Sequence, residues 1–597
     1  MKILKRISVI TVSAIVVSAW VFKVSAEEPT LIQDPGWLES FIDQQFDPLV
    51  NETTPGFGVL ITYKGQLRFA KGYGLADIEH TVPIDQHSKF YIASMSKQFT
   101  AAIIAQHILE GRIGLDDKCI EFLPTLPDVY RDITIGQLLF HTSGIREYTS
   151  MMIIRGDDPR LQNRMNMSDA YQLITSQGAL DFPSGTQYRY SSSGYVLLAK
   201  ILEEIENKPF PEIAKERLFA PLGMQNTTFD IDHSAPIPGR VKSYQAPSGG
   251  DDKVWRRWLK HFDVVGDGGI LVTLTDMAKW DRELRTGAFL GTKWRDLMMK
   301  AGARDDGTIL PYGFGLWQSE VLGNRVVAHG GGMGGFIADQ IRFSDLDLSV
   351  YVFANRNDHN AFQGWKLARR LVQNMGMAKP DHELSKNKQG DAVPMPSFQS
   401  AKAHDYSDWI GGYFADKINN RYFLREKTNG QLVLHGGGDT WLSDLEVIDN
   451  ERLRCVSTGQ TITLKTVDGV KILILEGNNQ AIEAINYDYS SPSNIHQLAV
   501  LEGSFWSPEL ESLVSFYIKD DILWMRYAQN LPEQLFPAPT GSNLTWNSID
   551  KLWTGRSMIK FRYDEAGKIK GVDIGDSRVV GVRFRKLDAD SPITLHE

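Results

Sequence analysis

Ser94 and Lys97 stand three positions apart at the start of a run, Phe99 to Leu109, in which Ala101, Ala102, Ile103, Ile104, Ala105, Ile108 and Leu109 leave hardly any polar face before Gly111 ends it. A helix apolar nearly all round belongs inside a domain. On the first turn of such a helix, residues three apart share a face, and free backbone N–H groups and the positive dipole end gather around them. A buried hydroxyl beside a desolvated amine is an activated nucleophile, because desolvation favours the neutral amine and a neutral amine takes the serine proton. Taken alone, Ser-x-x-Lys also describes a capping serine and a solvated lysine, and the surrounding chain has to decide.

Downstream come Leu138 to Ile145 (Leu-Leu-Phe-His-Thr-Ser-Gly-Ile) and Phe182 to Thr186, which leads into Tyr190-Ser191-Ser192-Ser193-Gly194-Tyr195. Pro221 to Met224, Gly268 to Thr273 and His329-Gly330-Gly331-Gly332-Met333-Gly334-Gly335-Phe336 follow. His141 and Ser143 sit between a helical stretch, Thr134 to Phe140, and a glycine turn, and read as structural. Tyr312 to Trp317 reads as an aromatic pocket wall or as plain core. Asp358-His359 and Asp381-His382 read as surface polar pairs rather than metal ligands. The chain has no Gly-x4-Gly-Lys-Ser/Thr, no His-Glu-x-x-His and no Gly-x-Ser-x-Gly, so phosphate-loop, zincin and α/β-hydrolase chemistry lose their main support. No metal and no cofactor is expected.

These residues need a scaffold. Gly56 to Phe69 predicts two apolar strands around a Lys64-Gly65 hairpin turn, and helical and strand patterns then interleave to about residue 380, an α/β (α+β) arrangement. Residues 386–404 lose periodicity and gain Pro, Gly, Lys and Gln, as linkers do. Beyond them short strands separated by Asn-Gly, Asp-Gly and Gly-rich turns predict an all-β region. Trp409 to Phe414 followed by Arg421 to Leu434 is similar to Leu501 to Trp506 followed by Leu513 to Met525, a period that predicts two successive small barrels. The expected organisation is therefore a catalytic domain over 27–385, a linker over 386–404, and β-barrel-like domains over 405–495 and 496–597.

The chain of 597 residues carries 64 Lys and Arg against 73 Asp and Glu, a net charge of −9, which leaves no basic surplus for a phosphate backbone and excludes nucleic acid as a partner. Two cysteines, Cys119 and Cys455, exclude a disulfide framework and a four-cysteine zinc site. Lys2, Lys5 and Arg6 precede an apolar run, Ile7 to Phe22, and Val24-Ser25-Ala26, a signal peptide over 1–26 with cleavage expected after Ala26. The uncleaved alternative is a membrane anchor, but a helix of that length reaches only about 24 Å against a hydrocarbon core of about 30 Å. The expected product is periplasmic or secreted from a bacterium, with no stable membrane span.

In order and spacing, the motifs from Ser94 to Phe336 resemble those of the serine β-lactamase-like hydrolases, nearest to class C β-lactamases, D,D-carboxypeptidases, D-aminopeptidase and related esterases. The resemblance covers roughly residues 35 to 375. It implies a β-lactamase/penicillin-binding-protein-like domain with an antiparallel sheet flanked by helices. By position it makes Ser94 the acylated nucleophile, Lys97 its proton partner and Tyr190 the phenol that relays the proton to the leaving group, with the first base, Lys97 or Tyr190, left open. His329 stands where many members have Lys, placed to hydrogen-bond a substrate carboxylate or to tune Tyr190. Gly330, Gly331 and Gly332 suit a strand along which a substrate backbone lies, the Gly332 N–H joining that of Ser94 as oxyanion hole. Ser192 replaces the usual Asn, which weakens the case for β-lactam hydrolysis. The implied function is an exported, cofactor-free serine hydrolase that cleaves peptide amide bonds, D-residues included, through an acyl-enzyme on Ser94. The alternatives are a carboxylesterase of the same fold, or a penicillin-binding or cell-wall sensor protein that acylates without turnover. A small peptide or ester is the expected partner. The tail, with Ser507-Pro508-Glu509-Leu510, resembles the paired accessory barrels of D-aminopeptidase-like members and is expected to shape access to the cleft.

Overall fold

The computed structural model describes residues 30–379 and 406–587, leaving aside 158–163, 248–253 and 359–362 in the first span and short stretches of the second, of which 488–500 and 538–550 are the longest. The expected leader over 1–26 and linker over 386–404 lie outside the described residues.

The hairpin forms where the sequence places it. Strands Phe57–Tyr63 and Gln66–Tyr73 are joined by Lys64 and Gly65 at φ +50° and +72°. A two-residue turn with both φ positive matches the right-handed twist of the strands it joins. This hairpin completes an antiparallel sheet of eight strands, in the order Ala301–Ala303, Ile309–Gly313, Trp317–Val321, Asn324–Met333, Phe336–Phe343, Leu348–Ala354, Phe57–Tyr63, Gln66–Tyr73. Phe57 lies opposite Ala354, so the two ends of the catalytic region meet in one sheet.

The side-chain period of two distributes Phe57–Tyr63 between two cores. Phe57, Val59 and Ile61 pack with Ile42 and Phe46 of helix Pro35–Phe46 and with Leu367 and Leu371 of helix Gly364–Asn374. Leu60 turns to the other face, where helices Lys97–Leu109, Ser192–Glu206 and Leu274–Thr286 bring Phe99, Ile103, Leu198 and Trp280. With both faces covered, every residue of Phe57–Tyr63 is buried. The expected helical stretch before His141 is helix Ile135–Leu139, begun by a capping box between Thr134 and Gln137.

Apart from a 3-10 turn at Ser407–Trp409, the elements of the tail among the described residues are strands. Eight strands from Gly411–Ala415 to Gln480–Tyr487 close into a barrel around Tyr413, Leu424, Leu453 and Leu473, with Gly412 opposite Tyr487. Nine further strands from Gly503–Ser507 to Val582–Lys586 form a second meander whose first strand pairs its last, Phe505 opposite Lys586. Its two edges are Glu533–Gln534 and Phe536–Pro537. One residue separates those edges in the chain, so the sheet curls until they meet and is a barrel with one open joint. The two units also start alike: Gly411 and Gly503 have φ of +152° and +144°, and each is followed by a fully buried aromatic ring, Tyr413 or Phe505. The core of the second unit, Phe505, Phe516 and Phe561, runs continuously into the core that holds Phe99, Leu198 and Trp280.

Candidate active site

Ser94 lies on a 3-10 turn, Ala93–Ser96, and the α-helix begins at Lys97, one turn later than the spacing alone predicts. Ala93 enters the turn at φ +44°, a strained value for a residue with a Cβ. The turn is held from outside by the sheet. Strand Asn324–Met333 passes so close that a Cβ on Gly331 would stand 2.1 Å from the Ile92 carbonyl oxygen and 3.1 Å from the Ser94 backbone nitrogen. Only a bare backbone fits there. Gly331→Ala is therefore expected to push the strand off Ser94 and lower kcat about 10²-fold, since a shift of about 1 Å at a reacting group costs that much. Steady-state kinetics with a Ser94-directed label decide it, and a wild-type kcat would mean that the strand takes no part in catalysis.

Lys97 is wholly buried, and its Nζ donates to Ser94 Oγ at 3.2 Å, Ser192 Oγ at 3.2 Å and the Asp267 carbonyl at 2.9 Å. A carbonyl oxygen only accepts, so Asp267 fixes one hydrogen of Nζ. Ser192 Oγ takes a second, and the position that remains faces Ser94, where the lone pair of an unprotonated Nζ would lie. Behind Lys97 the Asp267 carboxylate accepts the Tyr148 hydroxyl at 3.0 Å, and burial pushes its pKa up to about 6.

Tyr190 presents its ring to this amine, with Lys97 Nζ 5.1 Å from the centroid. Its hydroxyl makes no hydrogen bond among the described residues, so Ser192, and not Tyr190, shares the amine with Ser94 in this structure. The segment His141 to Tyr148 explains the placement of Tyr190 and Ser192. His141, buried at φ +58°, accepts the Ser191 N–H on Nδ1 at 3.2 Å. The Glu147 carboxylate accepts the Ser192 N–H, and Ser193 Oγ donates to the Arg146 carbonyl at 2.6 Å. His141 also touches the Tyr190 ring, 4.3 Å between centroids. Burial and the charge of Lys97 hold its pKa well below the usual imidazole range. It works through the backbone it holds, as a structural residue does.

His329 is likewise buried, 6.2 Å from the Tyr190 ring. One tautomer satisfies both of its bonds: Nδ1–H donates to the Gly330 carbonyl at 2.6 Å and Nε2 accepts the Tyr312 hydroxyl at 3.1 Å. With both nitrogens taken, neither is left for a substrate carboxylate, and Tyr312 becomes part of the site rather than plain core. Burial, then the Lys97 charge, pushes the His329 pKa down to about 3. A folded-state pKa below the unfolded value of about 6.5 means that the unfolded chain takes up the proton first, so the stability held above pH 6.5 drains away as pH falls toward 3. Between pH 7 and 4.5 this one group costs about 2–3 kcal/mol. Urea midpoints should show His329→Gln losing less over that interval than the wild type; equal losses would mean that the imidazole titrates freely in the fold.

Glu147 and Asp267 carry no motif that sequence reasoning could have found, whereas Tyr312 lies in the stretch that reads as an aromatic pocket wall or plain core. Asp267 adjoins the Gly268 to Thr273 motif, yet its contribution to Lys97 is a backbone carbonyl, which any residue type would offer.

Residues 42–373 match the family model described as Beta-lactamase. A D-aminopeptidase of Brucella anthropi is 24% identical over 549 residues, covering 90% of this chain and 96% of that relative. A penicillin-binding protein of Bacillus subtilis is 25% identical over 372 residues, 60% of this chain and 78% of its own length. The solved structure of an octameric penicillin-binding protein homologue from Pyrococcus abyssi shares the fold, with a TM-score of 0.51 over 83% of this chain and 99% of that one at 19% identity.

Proposed function

Because the chain belongs to the beta-lactamase family, we propose that it is an exported serine amidase that cleaves peptides, those with D-residues included, through an acyl-enzyme on Ser94. The observation that carries this is the pairing of Ser94 Oγ with a buried lysine whose other hydrogens are fixed by Asp267 and Ser192. Ser94 Oγ attacks the amide carbonyl while its proton passes to Lys97 Nζ. The oxyanion forms against the backbone N–H groups of Ser94 and Gly332, a pair in which one donor is worth about 10² to 10³ in rate. The leaving amine then needs a proton, and the Tyr190 phenol, whose hydroxyl makes no hydrogen bond among the described residues, would turn to hand it on. Water repeats the sequence to release the acyl group and regenerate Ser94. The basic and apolar residues before Ala26 support export to the periplasm or medium.

An esterase of the same fold is the second reading, favoured by Ser192: a hydroxyl offers one donor where the usual Asn offers two donors and an acceptor to a substrate amide. Turnover of D-alanyl p-nitroanilide against short p-nitrophenyl esters separates the two, and ester turnover alone would remove the amidase. Tyr190→Phe keeps the ring and loses only the phenol, so it is expected to turn over slowly while intact-mass spectrometry still finds the adduct on Ser94. Wild-type turnover in that variant would reduce Tyr190 to packing.

A further inference from the structure

Arg578 belongs to the last β unit, yet its guanidinium carbon lies 5.6 Å from the centroid of the Tyr190 ring. It is close enough to Tyr188 and His141 for its charge to act on both. The backbone beneath it is anchored. The buried carboxylate of Asp576 accepts the backbone N–H groups of Arg578 at 2.7 Å and Val579 at 2.9 Å and is hydrogen-bonded by Ser150 of helix Tyr148–Arg155. Val579 has no exposed surface. Around it, Arg146 pairs with Glu509 at 2.5 Å and Ser512 Oγ donates to the Arg155 carbonyl at 2.6 Å. The Arg578 side chain itself is exposed and, among the described residues, has no carboxylate at ion-pair distance.

Two other basic side chains stand at Ser94, and both are engaged. Lys97 is held by three oxygens, and His329 is neutral with both nitrogens bonded. A guanidinium fork with no carboxylate partner among the described residues, on the face of the tyrosine that serves the leaving group, is built for a planar anion. We infer that Arg578 pairs with a carboxylate on the leaving-group side of the scissile bond, so that the favoured substrates are peptides whose leaving residue is anionic. This rests on the amidase reading and on Tyr190 as the relay to the leaving amine. The carboxylate has two sources, the free C-terminus of the leaving residue or an acidic side chain on it.

The test compares three peptides on the full chain: D-alanyl-D-alanine, D-alanyl-D-alaninamide, and D-alanyl-D-glutamic acid α-amide, whose only carboxylate is in the side chain. Wild type is expected to prefer a carboxylated peptide to the neutral amide, and the one it prefers identifies the source. Arg578→Ala should cut that preference in kcat/KM about tenfold, chiefly through KM, the scale of one lost charge-assisted pair that closes on binding. Arg578→Glu should reverse the preference, and Arg578→Lys should restore part of it. A residue that only packs would lower all three peptides alike. A preference that stays within about twofold of wild type in both the Ala and Glu variants would overturn the inference, as would a wild type that hydrolyses all three equally. Hydrolysis of none of them by an enzyme whose Ser94 still takes a fluorophosphonate would instead overturn the amidase reading, and this inference with it.

Discussion

Replacing Ser94 with Ala is expected to abolish turnover, kcat falling by about 10⁴-fold or more, as it does when a serine nucleophile is removed and only binding and oxyanion contacts remain. A second hydroxyl, Ser192 Oγ, stands at the same distance from Lys97 Nζ, so the result is not trivial. Ser192 cannot take over because the glycine strand passes against the backbone nitrogen of Ser94, and the Ser192 N–H is already given to Glu147. An acyl group on Ser192 would have no oxyanion donors. Ser94 is only partly buried and contributes little packing, so circular dichroism and the melting temperature should stay close to wild type. Fluorophosphonate labelling should vanish with activity. A variant that keeps more than about a tenth of wild-type turnover would remove the mechanism.

Lys97→Met carries the next largest effect and reaches stability as well. Met fills a similar volume without Nζ, so kcat is expected to fall about 10³-fold, within the usual contribution of a positioned proton carrier. Ser192 Oγ and the Asp267 carbonyl lose their donor inside a buried pocket, which costs about 1–3 kcal/mol. The two consequences separate in experiment: urea unfolding reads the second, and the rate of Ser94 acylation by an activated ester reads the first. Near-normal acylation at pH 7 would mean that another base takes the serine proton.

Local pattern made part of this molecule legible. Lys64-Gly65 dictates a tight turn, the apolar run after Lys97 dictates a buried helix, and the glycines after His329 dictate a strand open to close approach. What escaped was whatever depends on distant pairs or on backbone groups. Asp267 serves Lys97 through a carbonyl, 170 positions away. Nothing around Glu147 in the sequence says that the fold sets its carboxylate against the Ser192 N–H. The Tyr190 hydroxyl was expected at the proton relay, and only the structure shows that its ring, not its hydroxyl, faces Lys97. Arg578 sits in an unremarkable strand-rich tail, and nothing near it in sequence says that Tyr190 lies below.

In the first β unit, Gly412 lies opposite Tyr487, the first strand beside the last. Paired residues in neighbouring antiparallel strands are about 5 Å apart, so the chain leaves this barrel almost where it entered. The barrel is therefore a side loop of the connection between the hydrolase and the Arg578 unit, and it adds almost nothing to the span that connection must bridge. A chain from which it was excised would still join the two parts that meet at Tyr190. The module can thus be exchanged for another insert whose ends lie equally close without re-registering the site, which makes it the place to graft a foreign cargo.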